Sequence, residues 1–347
     1  MKNQKLHFGV IGAGRIGKIH TGNLVNRLAD TEVVAVCDVL SDAVRQIAQQ
    51  YHIRTTSTDY NEILQHPDID AIAVCSPTPT HHDIILKAAA SGKDIFCEKP
   101  IDLSIDKIIE INEAVAKHGV KMMVGFNRRF DPNFLKIHEL VASGKTGEPQ
   151  ILRITSRDPS PPPEQYIRSS GGLFLDMTIH DFDMARYLMK SEVTEVYARA
   201  NVLVDPVFEK TGDWDTAIVM LTFENGAMCA IDNSRQAVYG YDQRVEVFGS
   251  KGMVTVKNDT PDSHVLSDAN GVHSALPLNF FMQRYTESYL NEMRAFVDSI
   301  KKDEQPPATG LDGLEAVRIG LAAMKSVAEN RPVKMDTILM SEGISGI

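Results

Sequence analysis

Two apolar periodicities divide this chain. From residue 6 to about 125, short apolar runs at 6–11, 33–38, 71–76, 94–97 and 121–126 alternate with stretches whose apolar positions recur three and four residues apart. The runs read as strands buried on both faces, and the stretches, centred on Ile19, Ile47, Leu86 and Ile109, as helices. Strands alternating with helices make a parallel sheet covered on both sides, whose ligands bind beyond the carboxyl ends of the strands. Chemistry is therefore expected in the loops at 12–17, 38, 76–81, 98–100 and 127–130.

After about residue 148 the pattern changes to period two. A helix-like stretch at 173–189 is followed by predicted strands at 194–204, 216–223, 228–236, 244–248 and 253–257. Glu224-Asn225-Gly226 and Gly249-Ser250-Lys251-Gly252 have the composition of hairpin turns, so this second sheet is expected to be open and largely antiparallel. Two more helices are expected near 285–300 and 311–329. They are too few to cover both faces of the sheet, which leaves one face for another subunit. The predicted class is α/β plus α+β: a Rossmann parallel sheet over 1–126, then a domain over 127–347 built on the open, largely antiparallel sheet, whose uncovered face serves oligomerisation. The last helices are free to pack back on the first domain.

With 347 residues the chain is long enough for two cores. A formal charge of −10 without a Lys/Arg cluster argues against a nucleic-acid partner. No apolar run has spanning length and no signal-peptide layout occurs, so neither a membrane role nor export is expected, and the location expected is cytoplasmic. Cys37, Cys75, Cys97 and Cys229 lack metal-type spacing and read as buried, reduced thiols.

The first strand runs into Gly12-Ala13-Gly14-Arg15-Ile16-Gly17, and Ile16, Ile19 and Leu24 share one face of the helix that follows. A glycine triad between a strand and a helix is the fingerprint of a dinucleotide site: backbone N–H groups and the positive helix end face a pyrophosphate. Asp38 ends the second strand 21 residues after Gly17. A carboxylate there accepts hydrogen bonds from ribose hydroxyls and repels a 2′-phosphate, and Val39 offers no compensating arginine. The cofactor expected is NAD.

Two constellations carry candidate chemistry. Lys99, between Glu98 and Pro100, ends the strand at 94–97 and can donate to a substrate oxygen and stabilise developing alkoxide charge. Asp176 and His180 stand four apart in a helical segment behind Gly171-Gly172, with Cβ atoms roughly 6 Å apart. A carboxylate so placed orients an imidazole to act as general base for alcohol oxidation or general acid for ketone reduction. No metal is expected: of Asp176, His180, Asp181 and Asp183, only three can share a helical face, and no further His or Cys lies at ligand spacing. His81, after Thr78-Pro79-Thr80, is a candidate either for cofactor contact or for capping a helix.

Together these segments resemble the glucose-fructose oxidoreductase and inositol dehydrogenase family. The resemblance rests on Gly12-x-Gly14-Arg15-Ile16-Gly17-x-x-His20, Ser76-Pro77-Thr78-x-x-His81 and Glu98-Lys99-Pro100. It continues through Gly125-Phe126-x-Arg128-Arg129-Phe130-Asp131 and Gly171-Gly172-x-x-x-Asp176-x-x-x-His180-Asp181. Within that family the chain is most similar to the inositol 2-dehydrogenases through Tyr239-x-Tyr241-Asp242-Gln243-Arg244, Asn258-Asp259 and Arg284-Tyr285.

The resemblance implies NAD-dependent oxidation of a cyclitol hydroxyl by a triad that maps to Lys99, Asp176 and His180, in a homotetramer. Cofactor contacts are expected from Gly12, Ala13, Gly14, Arg15, Ile16, Gly17, Asp38, Ser76, Thr78, His81 and Glu98. The substrate is expected to meet Lys99, Asn127, Arg128, Arg157, Asp158, Asp176, His180, Tyr239 and Tyr285. The preferred stereoisomer stays open. A sugar or anhydro-sugar oxidoreductase of the same fold is the alternative, and a non-catalytic dinucleotide sensor would not need all three triad residues.

Overall fold

The computed structural model describes residues 5–338, which fall into two compact units: 5–130 with 287–315, and 131–286 with 316–338. In the first unit the chain runs β1 (Leu6–Ile11), α1 (Arg15–Asn26), β2 (Thr31–Cys37), α2 (Ser41–Tyr51), β3 (Thr55–Ser57), α3 (Tyr60–Gln65) and β4 (Ala71–Val74). It continues through α4 (His81–Ala90), β5 (Asp94–Glu98), α5 (Ile105–His118) and β6 (Met122–Gly125). The six strands pair in parallel in the order β3-β2-β1-β4-β5-β6, the doubly wound arrangement expected. Every residue of β4 is buried, as a central parallel strand requires. The sequence reading missed β3, whose three residues Thr55-Thr56-Ser57 carry no apolar signal; pairing with β2 alone makes it a strand.

The second unit adds α6 (Pro132–Ala142), β7 (Pro149–Arg157), α7 (Glu164–Ser170), a π-helical turn at Leu173–Met177, α8 (Ile179–Met189), β8 (Val193–Asn201) and α9 (Val207–Thr211). Then follow β9 (Thr216–Phe223), β10 (Met228–Ser234), β11 (Asp242–Gly249), β12 (Gly252–Val256), the hairpin β13 (Val265–Asp268) and β14 (Gly271–Ser274), and α10 (Phe281–Arg284). Helix α11 (Thr286–Lys302) belongs to the first unit from Glu287 on. Helix α12 (Gly310–Glu329) is divided after Glu315, and β15 (Val333–Lys334) completes the second unit. The sheet order is β12-β11-β7-β10-β9-β8-β15, antiparallel at every pairing except β7 with β10.

Alternation along these strands is clean: Ala217, Val219, Leu221 and Phe223 of β9 are buried, while Ile218 and Met220 face outward. Among the differences from the sequence reading, two have a cause in side-chain hydrogen bonds. Strand β8 stops at Asn201, short of the expected 204, because the N–H groups of Leu203, Val204 and Asp205 donate to the Asp215 carboxylate instead of to a ladder. Helix α6 went unpredicted although Asp131 caps it, accepting from the N–H groups of Asn133 and Phe134, with Pro132 in its first turn.

Candidate active site

In the first unit the glycine turn and the end of β2 form one hydrogen-bonded device. Gly12 has φ +106°, and a Cβ there would lie 2.5 Å from the Cys75 carbonyl carbon, so only glycine lets the turn pass beside β4. The Cβ direction of Gly14 is the opposite case, with nothing within 4 Å. That leaves open space over the first turn of α1, where the unsatisfied N–H groups of a helix start point outward. The Asp38 carboxylate is fixed by the N–H of Ala13 at 2.7 Å and of Leu40 at 2.9 Å, one on each oxygen. Each oxygen keeps a lone pair for a ribose hydroxyl, so these residues fit a dinucleotide.

Glu98 is the last residue of β5, and Ser76, Thr78, Lys99, Asn127 and Arg128 lie just beyond the carboxyl ends of β4, β5 and β6, on the edge where such sheets bind ligands. The Lys99-Pro100 peptide is cis. Arg15 and Ile16 open α1. His81 begins α4, but its ring is committed to the main chain: Nδ1 lies 2.9 Å from the Pro100 carbonyl oxygen and Nε2 lies 2.8 Å from that of Ser76. Burial lowers its pKa against the pull of those carbonyls. His81 is therefore a brace between the loops after β4 and β5. Glu98 is likewise turned onto a protein partner, accepting from His20 Nε2 at 2.7 Å.

The second unit carries Asp176 and His180, but not on one uniform α-helix. Asp176 lies in the π-helical turn and His180 in the first turn of α8, a widened geometry that recurs at functional sites. Gly171 and Gly172, both at positive φ, lead into the turn, and Asp213 accepts from the Leu173 N–H at 3.0 Å. A Cβ on Gly172 would lie 2.6 Å from that same carboxylate. The turn is tied to the sheet through Asn233, which accepts from Thr178 Oγ1 and donates to Asp181, both at 2.8 Å. Asp181 is thus an anchor for α8.

Asp176 is held from both sides. Tyr166 Oη donates to Oδ1 at 2.8 Å and Arg235 Nη2 donates to Oδ2 at 3.0 Å. Arg235 also donates to Asp158 Oδ2 at 3.0 Å, so one guanidinium joins two of the expected site carboxylates. It is 3% exposed. Burial works against its charge, but Asp176 and Asp158 outweigh that and hold its pKa up; the Asp176 charge, with burial, raises that of the Tyr166 phenol. A parallel network joins Arg157 to Asp232 and to the Tyr239 hydroxyl, which donates to Asp242 at 2.6 Å. Tyr285 sits apart from these pairs: it is 2% exposed, its hydroxyl donates to Gln243 at 3.3 Å, and its burial is that of a core residue.

Sequence reasoning missed Arg235 and Tyr166. Neither stands at a telling spacing from Asp176; the only signal was an arginine just past the strand Met228–Ser234, in register with its buried face (Cys229, Ile231, Asn233).

The chain matches two family models: "Oxidoreductase family, NAD-binding Rossmann fold" over residues 6–126 and "GFO/IDH/MocA C-terminal domain" over 134–255. It is 52% identical to the oxidoreductase YrbE of Bacillus subtilis strain 168, covering 94% of this chain and 96% of that one. It is 47% identical to the myo-inositol 2-dehydrogenase of Thermotoga maritima, over 96% of this chain and all of that one. Among solved structures, the scyllo-inositol dehydrogenase of Lactobacillus casei with bound NAD(H) and scyllo-inositol superposes with a TM-score of 0.90. The two are 30% identical over 96% of this chain and 100% of that one. The chain belongs to the GFO/IDH/MocA family of NAD-binding oxidoreductases. No described helix is long and apolar enough to cross a membrane.

Proposed function

We propose that this protein is an NAD-dependent inositol 2-dehydrogenase, oxidising one ring hydroxyl of a cyclitol to the ketone. The observation that carries the reading is Asp176, clamped by Tyr166 and Arg235 one helical turn before His180, in a chain similar along its length to a relative named for this activity. NAD, when bound at the Gly12–Gly17 turn, supplies the hydride acceptor. His180, oriented by Asp176, takes the hydroxyl proton, and Lys99 donates a hydrogen bond to the reacting oxygen and stabilises its developing charge. Asp38 selects the cofactor lacking a 2′-phosphate.

A cyclitol presents several similar hydroxyls, so regiochemistry must come from fixed polar groups. Arg157, Asp158 and Tyr239 are suited to this because their own ion pairs hold them in place. Asn127 and Arg128 are assigned the same task, and Tyr285 supports Gln243. We assign a homotetramer to the outward face of the second sheet, where Ile218, Met220, Met228, Phe248 and Met253 are exposed. Four free cysteines suit the cytoplasm, and oxidation suits a role in inositol breakdown.

Initial rates of NADH formation on myo-inositol, scyllo-inositol and a panel of aldoses test the reading. Turnover on an inositol well above any aldose supports it, and the reverse order replaces it with a sugar oxidoreductase.

A further inference from the structure

Behind the Glu98-Lys99-Pro100 turn, the first unit holds ionisable side chains that neither hydride nor proton transfer uses. His20 projects from α1, Glu98 ends β5 and Glu292 projects from α11. The side chains of His20 and Glu292 are wholly buried. His20 Nε2 donates to Glu98 Oε1 at 2.7 Å, and Glu292 Oε1 lies 3.8 Å from the same nitrogen. Both carboxyl oxygens of Glu292, and Nδ1 of His20, are buried without a hydrogen-bond partner.

The surroundings are aromatic: Phe96 and Tyr289 meet the imidazole edge-on, with ring centroids 4.9 and 5.8 Å away, and Phe296 packs against Phe96. The titratable groups turned towards Glu292 are His20 from α1, Cys75 after β4 and Glu98 from β5, with Tyr289 on its own helix. None is a lysine or arginine. An ionised Glu292 would lack solvation and face the Glu98 carboxylate, a state strongly disfavoured for an ion that is neither paired nor hydrogen-bonded. Burial first, then Glu98, accordingly pushes its pKa well above the usual carboxylate range.

We propose that His20 and Glu292 are positioning residues for the catalytic turn: His20 fixes the Glu98 carboxylate, and with it the strand end presenting Lys99, while Glu292 stands behind His20 as a neutral carboxylic acid. The kinetic part rests on Lys99 acting in catalysis; the charge state of Glu292 does not. The rival occupant is a divalent cation, because the ligand atoms of His20, Glu98 and Glu292 lie within 4.8 Å of one another. That arrangement needs Glu292 ionised, so the two readings differ in what glutamine does at this position.

The test uses the full chain without cofactor or substrate. A folded-state pKa raised above the unfolded value of about 4.3 gives stability that is complete below that pH and falls as pH rises towards the folded value. Glu292→Gln escapes this loss. Between pH 5 and 8 its folding equilibrium constant should gain on wild type by up to about tenfold per pH unit, read as a growing difference in thermal midpoint. Equal destabilisation at every pH, or a stoichiometric divalent metal in wild type that the variant lacks, overturns the proposal.

His20→Phe keeps a ring and removes the donor. It should lower kcat by about tenfold or more with KM for NAD little changed, and His20→Gln, which restores a donor, should recover most of the loss. Wild-type turnover in His20→Phe overturns the positioning role; if that variant does not fold, a His20→Gln enzyme as impaired as Lys99→Ala does so. Failure on every cyclitol would sink the proposed function and leave the pH-stability result standing.

Discussion

Replacing Arg235 by methionine keeps much of the side-chain volume but removes one positive charge from a buried site that holds two carboxylates. Both pairs are made at 3.0 Å, and the guanidinium is almost inaccessible, so water cannot take its place. Removing one partner of a buried ion pair costs about 3–5 kcal/mol, because the charge left behind is desolvated and uncompensated. Asp176 would keep the Tyr166 hydroxyl, whereas Asp158 would lose its charged donor. That places the cost near the lower figure. For a unit of this size 1 kcal/mol shifts the midpoint by about 2–4 °C, which predicts a fall of about 10 °C by calorimetry.

Turnover should fall by about 10–100-fold, since Asp176 would no longer be held from both sides, while NAD affinity should stay close to that of wild type. Adding Asp158→Asn should recover at least 1 kcal/mol, about what relieving one of two uncompensated charges returns. An Arg235→Met protein within 1 kcal/mol of wild type, with normal turnover, would refute the reasoning.

Asp38→Ser should relax cofactor choice: wild type should favour NAD over NADP by about 10²-fold or more in kcat/KM, and the variant should lose most of that margin. Comparable wild-type efficiency with both cofactors would remove Asp38 from selection. Lys99→Arg should be nearly as impaired as Lys99→Ala in single-turnover hydride transfer, because the guanidinium is larger, planar and never deprotonated. A fully active arginine variant would make Lys99 a structural lysine.

The first sheet was legible, β3 apart, because its strands carry apolar runs that stop at a breaking residue, as β2 ends before Asp38. The second was legible from alternation, down to the two hairpin turns. Legibility failed where long-range partners decide. Thr55-Thr56-Ser57 is a strand only because β2 lies beside it, and β8 ends where Asp215, beyond the next helix, collects three N–H groups.

The same division runs through the candidate site. Gly12, Asp38, Lys99, Asp176 and His180 stand in local patterns that can be read from neighbours. Arg235 reaches Asp176 across 59 residues, and Glu292 lies on a helix almost two hundred positions beyond Glu98; only the fold brings them together. His81, which its loop position placed either at a ligand or at a helix cap, has both ring nitrogens on the carbonyl oxygens of Ser76 and Pro100, a pairing no local pattern announces.

The central claim is hydride removal from an inositol carbon with His180 as the base. The most direct measurement is single-turnover transfer of deuterium from inositol labelled at C2 to NAD, comparing wild type with His180→Ala at saturating cofactor. The account predicts one deuterium delivered to the nicotinamide by wild type, and a rate about 10²–10⁴ lower in the variant with NAD affinity retained. Reduced cofactor carrying no label, or a His180→Ala rate close to wild type, would contradict it.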